Sequence, residues 1–212
     1  IDTVILDKKG TLTQGRPTVT DILPAPNVLK NPFLRAAASI EALSEHPLAN
    51  AVLQYAKEKG LELAQAQNLS ATAGQGIEAD VNGKHILGGN LKMMQERGIP
   101  LGEFAEKAAA LAEEGKTPLF FAEDGALLGL LGLADPLKPT SKAAVDCFHQ
   151  MGIDVIMLTG DNARTAAAIA KQLGVKTIAE VLPQDKEREV RRLQESGKTV
   201  AMIGDGINDA PA

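Results

Sequence analysis

Asp7 closes the short apolar run Val4-Ile5-Leu6 and is followed by Lys8-Lys9-Gly10-Thr11-Leu12. A carboxylate at the carboxyl end of a buried strand sits where an open α/β sheet places its ligand. Gly10 permits a sharp turn, which offers backbone N–H groups and the Thr11 hydroxyl. This set suits a carboxylate nucleophile attacking a phosphoryl group. Two more apolar runs end in the same way. Val155–Leu158 leads into Thr159-Gly160-Asp161, and Thr199–Ile203 leads into Gly204-Asp205, with Asp209 shortly after.

In a parallel sheet these three strand ends share one edge. Carboxylates gathered there, with Lys186 as a nearby cation, repel one another unless a metal ion intervenes. Asp205 and Asp209 are therefore hard-oxygen ligands suited to Mg2+. The Thr159 hydroxyl and the Gly160 N–H can hold phosphate oxygens while Lys186 neutralises their charge. Asp7 is then the nucleophile for in-line phosphoryl transfer. Taken singly, each residue has a plainer role, Asp161 as a helix cap and Asp205 in a turn. Their occurrence at three equivalent strand ends is what favours chemistry.

The elements that position these residues follow from hydrophobic periodicity. After Asp135-Pro136-Leu137-Lys138 the pattern predicts a helix over 140–151 stopped by Gly152, a strand at Val155–Leu158, and a helix over 163–173 stopped by Gly174. A strand at Thr177–Glu180, a helix over 184–195 and a strand at Thr199–Ile203 complete the series. Repeated βα winding implies a parallel sheet with helices on its faces. The strand before Asp7 belongs with it.

Between these parts the character changes. Residues 18–23 alternate as a strand, and Pro24, Pro26 and Asn27 then mark a boundary. A helix from Pro32 and a second over 48–59 form a hairpin interrupted at Ser44-Glu45-His46-Pro47. Strands at 77–81 and 84–87 flank an Asn82-Gly83 turn. Helices over 91–97 and 102–114 precede strands 119–122 and 126–133. Hairpins favour an antiparallel sheet. The fold class is thus α/β, a doubly wound parallel sheet spanning 1–27 and 132–212, split by an inserted α+β domain over 28–131.

Composition narrows the function. A net charge of −5, 3% aromatic residues and no Trp leave no footprint for nucleic acid. No apolar run approaches a membrane span. Cys147 excludes an internal disulfide and is expected as a buried thiol in its helix, whereas His85 and His149 are expected at the surface without partners. One Cys and three scattered His form no sensor-type metal cluster. Both ends fall abruptly, the last just past a motif, so the chain is expected to be a fragment of a longer protein.

Four motifs, Asp7-Lys8-Lys9-Gly10-Thr11-Leu12-Thr13, Met157-Leu158-Thr159-Gly160-Asp161-Asn162, Leu182-Pro183-Gln184-Asp185-Lys186 and Gly204-Asp205-Gly206-Ile207-Asn208-Asp209, resemble those of P-type ATPases in order and spacing. Ser44-Glu45-His46-Pro47-Leu48, Gly74-x-Gly76 and Gly89-Asn90 are similar to the heavy-metal-transporting branch, most of all the bacterial copper exporters. The resemblance implies a haloacid-dehalogenase-like fold and phosphorylation of Asp7 by ATP. It further implies that Thr11, Thr159, Gly160, Asp161 and Lys186 assist catalysis. For Mg2+ it implies Asp7, the Lys9 backbone carbonyl, Asp205, Asn208 and Asp209. For the nucleotide it implies Glu41, His46, Gly74, Gly76, Ile77, Gly89, Asn90 and Asp135. The partners implied are the membrane and actuator domains of the same transporter, at the cytoplasmic face of a membrane. The fragment itself is expected to be soluble and monomeric.

Lys9 departs from this pattern, which has Thr there. Its ammonium can pair with Asp7 or repel Mg2+ and is expected to slow phosphorylation. Three alternatives remain beside this reading: a soluble phosphatase of the same fold, a zinc or cadmium exporter fragment, and a non-catalytic ATP-binding module. The phosphatase would want Asp in place of Lys9 and no nucleotide-type insert.

Overall fold

The computed structural model describes residues 1–44 and 46–204. The chain divides into two compact units. One comprises Ile1–Arg16, Ala112–Gly115 and the chain from Asp135 on; the other comprises Pro17–Leu111 and Lys116–Ala134.

In the first unit, strands β1 (Thr3–Asp7), β8 (Asp154–Leu158), β9 (Lys176–Ile178) and β10 (Val200–Ile203) form a parallel sheet in the order β10-β1-β8-β9. Successive side chains of β1 point to opposite faces. Val4 and Leu6 pack with Val145 of helix α5 (Ser141–Gln150) and with Ala166, Ile169 and Leu173 of α6 (Ala163–Leu173). Ile5 packs on the other face with Val190 of α7 (Lys186–Glu195). The sheet is therefore covered on both faces, as the apolar runs of its strands require.

The second unit is a six-stranded antiparallel sheet in the order β2-β7-β6-β5-β4-β3. Its strands are β2 (Thr18–Pro24), β3 (Ala66–Thr72), β4 (Gly76–Val81), β5 (Lys84–Gly89), β6 (Thr117–Glu123) and β7 (Ala126–Ala134). Alternation divides its side chains between two cores. Ile86, Phe121 and Leu131 pack with α1 (Lys30–Glu41) and α2 (Pro47–Glu58). Their neighbours Leu87, Phe120 and Leu130 pack with α3 (Leu91–Glu96) and α4 (Phe104–Glu113).

Two expectations need correction, and one strand carries no sequence signal. Residues 17–27 lie in the second unit, not with the parallel sheet, because β2 pairs antiparallel with β7 from Thr18–Ala134 to Pro24–Gly129. Val19 and Ile22 pack on the core beneath α1 and α2. Strand β3 went unpredicted because Ala-Gln-Asn-Leu-Ser-Ala-Thr carries no apolar alternation; it is a largely exposed edge strand. Cys147 is exposed rather than buried. Helix α5 buries Ser141 and Val145, and Cys147, two residues and about 200° further round, points away from that stripe.

Phe121 is wholly buried and meets Phe33 edge-on at 5.9 Å between ring centroids. Phe121→Ala should destabilise the second unit by about 3–5 kcal/mol, read as a lower urea midpoint.

Candidate active site

Parallel register brings the sequence-predicted strand ends together. Asp7 is aligned with Leu158, so Thr159 follows directly beside it. Leu6 is aligned with Ile203 on the other side, so β10 ends next to the same edge. The continuation, Asp205, Asn208 and Asp209, lies outside the described residues. The Lys8–Leu12 segment turns tightly: Gly10 takes φ 70°, a conformation costly for any residue with a Cβ, and the Thr13 N–H donates to the Lys8 carbonyl at 3.0 Å.

Asp7 is only 6% exposed. Lys186, the first residue of α7, donates from Nζ to Asp7 Oδ1 at 2.8 Å. Thr159 is buried, and its hydroxyl oxygen accepts from the Asp161 N–H at 3.1 Å. This folds the Thr159-Gly160-Asp161 turn on itself. The space beside Gly160 is small, since a Cβ there would lie 3.2 Å from the Val181 carbonyl oxygen. Helix α6 is capped by Asn162, not Asp161: the Asn162 side chain accepts from the Thr165 N–H at 3.0 Å. Thr11 Oγ1 is buried with no hydrogen-bond partner among the described residues.

Two features escaped sequence reasoning. Lys8 and Asp161 form a buried ion pair linking the turn after β1 to the turn after β8. No local pattern marks two residues 153 positions apart as partners. Lys9 lies among Asp161, Lys8, Asp7 and Asp135, and burial lowers its ammonium pKa, an effect the neighbouring aspartates oppose. Asp135, expected among the nucleotide residues, lies in this unit. One of its oxygens is 2.6 Å from the Thr13 hydroxyl and the other accepts from the Arg16 N–H at 3.1 Å. It braces the loop.

In the second unit, Gly74, Gly76, Gly89 and Asn90 come together where β3, β4 and β5 meet α3. Asn90 caps α3 by accepting from the Met93 N–H at 3.0 Å and donates from Nδ2 to the Gly74 carbonyl at 2.8 Å. A Cβ on Gly76 would fall 2.2 Å from the Gly88 carbonyl oxygen and 2.5 Å from Gly89 Cα, so only glycine permits this approach. Ile77, beside it, is buried in the core under α1 and α2. Ile40, near the end of α1, would touch a Cβ at Gly88, so α1 reaches this strand pair. Glu41 follows Ile40 and is buried, which raises its carboxyl pKa to about 7. His46 is exposed and caps α2, its Nδ1 accepting from the Leu48 N–H at 3.2 Å. That bond requires an unprotonated Nδ1. His85 is at the surface as expected but has partners: its ring nitrogens lie 3.1 Å from Asp80 and 3.4 Å from Glu78. These carboxylates raise its pKa, the hydrogen bond His85 donates to Asp80 most of all. Asp80 faces His85 across the β4–β5 pair.

A doubly wound sheet with aspartates at its carboxyl edge, interrupted by an inserted domain, defines a class. The chain belongs to the haloacid dehalogenase-like hydrolases, a family that matches residues 1–212. Along that whole length it is similar to the catalytic portion of heavy-metal-transporting P-type ATPases. It is 48% identical over 214 residues to the probable copper-exporting P-type ATPase V of Mycobacterium tuberculosis, covering 100% of this chain and 28% of that protein. A solved zinc-transporting PIB-type ATPase in its E2.Pi state superposes with a TM-score of 0.66 at 37% identity, covering 100% of this chain and 34% of that one. The catalytic domain of the CPx-ATPase CopB-B, described for conformational changes upon nucleotide binding, gives a TM-score of 0.76 at 29% identity over 100% of this chain and 73% of that one. The chain thus spans about a quarter of the length of the curated relatives it matches. Among the described residues, no helix is long and apolar enough to cross a membrane.

Removing Lys8 leaves Asp161 buried without its cation. Lys8→Met should therefore cost about 3–5 kcal/mol, measured by chemical unfolding of the first unit. Glu41 acts in the opposite sense. Between 4.5 and about 7 the folded protein holds a proton that the unfolded chain has released. Stability from this group is complete below 4.5 and is lost as pH rises through about 7, a swing on the order of 3 kcal/mol. Glu41→Gln should raise the urea midpoint at pH 8 and narrow its advantage towards pH 5.

Proposed function

We propose that this chain is the ATP-hydrolysing catalytic portion of a heavy-metal-exporting P-type ATPase, with copper the metal its relatives favour. The observation that carries the reading is the pairing of Asp7 with Lys186 at 2.8 Å beside the Thr159 turn.

A carboxylate oxygen of Asp7 attacks the γ-phosphorus of ATP, the bond from that phosphorus to the bridging oxygen breaks, and ADP leaves with the electron pair. Lys186 keeps Asp7 ionised before attack and neutralises charge on the phosphoryl oxygens as it develops. The Thr159 hydroxyl, the Gly160 N–H and the unpartnered Thr11 hydroxyl supply hydrogen bonds to those oxygens. The Lys8–Asp161 ion pair keeps the two turns at a fixed separation. Water then attacks the aspartyl phosphate, releasing inorganic phosphate and restoring Asp7.

The residues present fit a magnesium ion. Asp7 and the Lys9 carbonyl are hard oxygen donors of the kind Mg2+ takes, and Asp205, Asn208 and Asp209, outside the described residues, are of the same type. Bound there, Mg2+ would offset the negative charge of phosphate and carboxylate.

In the insert, Glu41 and His46 serve the adenine, while Gly74, Gly76, Ile77, Gly89 and Asn90 line the remaining nucleotide contact. A carboxyl titrating near 7 can accept from or donate to the base, and His46 with Nδ1 engaged keeps Nε2–H as a donor. In the full transporter, membrane and actuator domains couple this chemistry to ion movement, which places the chain at the cytoplasmic face; the chain alone is taken as monomeric. A zinc exporter is the second reading, favoured by the zinc-transporting structure above.

Lys9 opposes the reaction. A partly buried ammonium near Asp7 competes for the carboxylate and repels Mg2+. With Mg2+ and γ-labelled ATP, the chain should acquire acid-stable, hydroxylamine-sensitive label that Asp7→Asn abolishes. Lys9→Thr should label faster by about tenfold or more, with nucleotide affinity unchanged. Equal rates for parent and Lys9→Thr would remove the inhibitory role, and label retained in Asp7→Asn would remove the nucleophile.

A further inference from the structure

Ser141 opens α5 and is 4% exposed, yet its hydroxyl points out of its own helix. It donates to the Leu12 carbonyl at 2.7 Å, across 129 residues of sequence. The Lys138 N–H donates to the same carbonyl at 2.9 Å. Lys138 Nζ donates to the Gly10 carbonyl. The Gln14 N–H reaches the Pro136 carbonyl at 2.9 Å, and Thr13 bridges Leu137. The carbonyls on either side of Thr11 are therefore both held by the 138–141 segment. Thr11 itself is left with a buried hydroxyl that has no partner among the described residues.

The Gly10 carbonyl fixes the Gly10–Thr11 peptide plane and the Leu12 carbonyl fixes the Leu12–Thr13 plane, so Thr11 is held between two anchored planes and the direction of its Cα–Cβ bond is restricted before any ligand arrives. We propose that Ser141 is a positioning residue for phosphoryl transfer, orienting the Thr11 hydroxyl towards the phosphoryl group through the Leu12 carbonyl. This rests on the phosphorylation reading above. Ser141 does not touch the reacting atoms. Its contribution is preorganisation, where a displacement of about 1 Å can cost about 100-fold in rate. Lys138 still donates its N–H to Leu12 when Ser141 is changed, so the fold persists while the orientation loosens.

The test compares the parent chain, Ser141→Ala and Ser141→Thr, each also in the Lys9→Thr background, by single-turnover labelling with Mg2+ and γ-labelled ATP and by amide hydrogen exchange of residues 8–14. In Ser141→Ala the labelling rate should fall by about 10- to 100-fold, with half-saturation by ATP unchanged and faster exchange at the Thr13 amide. Ser141→Thr, which keeps the hydroxyl, should recover most of the rate. Labelling of Ser141→Ala at the parent rate would overturn the proposal. Failure of Ser141→Thr to recover, or a matching loss of ATP affinity, would reduce Ser141 to packing. If neither the parent nor Lys9→Thr takes label, the phosphorylation reading itself fails. The positioning of the loop is then decided by exchange, and an unchanged Thr13 amide in Ser141→Ala refutes it.

Discussion

Asp7 is a carboxylate withdrawn from water, and the first unit is arranged so that it can stay charged. An isolated buried carboxylate takes up a proton rather than remain ionised, and a protonated carboxyl is a poor nucleophile. Lys186 meets that requirement from α7, on the opposite side of the sheet from α5 and α6. Its reach depends on Val190 anchoring α7 against Ile5 and Ile156. The core under β1 thereby holds the lysine where it bonds Asp7, and packing and chemistry share one strand.

A second buried charge pair, Lys8 with Asp161, stands next to the first. Lys9 joins these charges, with Asp161, Asp7 and Asp135 of opposite sign and Lys8 of like sign around it. The pKa of Lys9 is lowered chiefly because burial disfavours its charge, and the nearby aspartates only partly restore it. A threonine at this position would add a hydroxyl and no charge.

The insert solves a different problem. Its glycines at 76, 88 and 89 leave no volume for side chains where β4, β5, Ile40, Phe121 and Met93 converge, so backbone lines that corner. Glu41 pays for its position in stability at neutral pH and stays titratable there. A group kept near its midpoint by burial alone is suited to a ligand that presents both a donor and an acceptor, as adenine does.

Much was legible in the residues themselves. Apolar runs leading into polar turns, with glycine-stopped helices between them, specified a parallel sheet and put Asp7 and Thr159 on one edge, because strand direction and periodicity are local properties. The Asn82-Gly83 turn likewise follows from short-range geometry. Tertiary structure decided what depends on distant partners. It assigned β2 to the insert by pairing it with β7, added the polar edge strand β3, turned Cys147 outward and gave His85 its carboxylates. It also paired Lys8 with Asp161 and drew Asp135 and Ser141 onto the loop after β1. Each of these is a contact between residues far apart in the chain, and no periodicity within a segment encodes which distant surface will bury it.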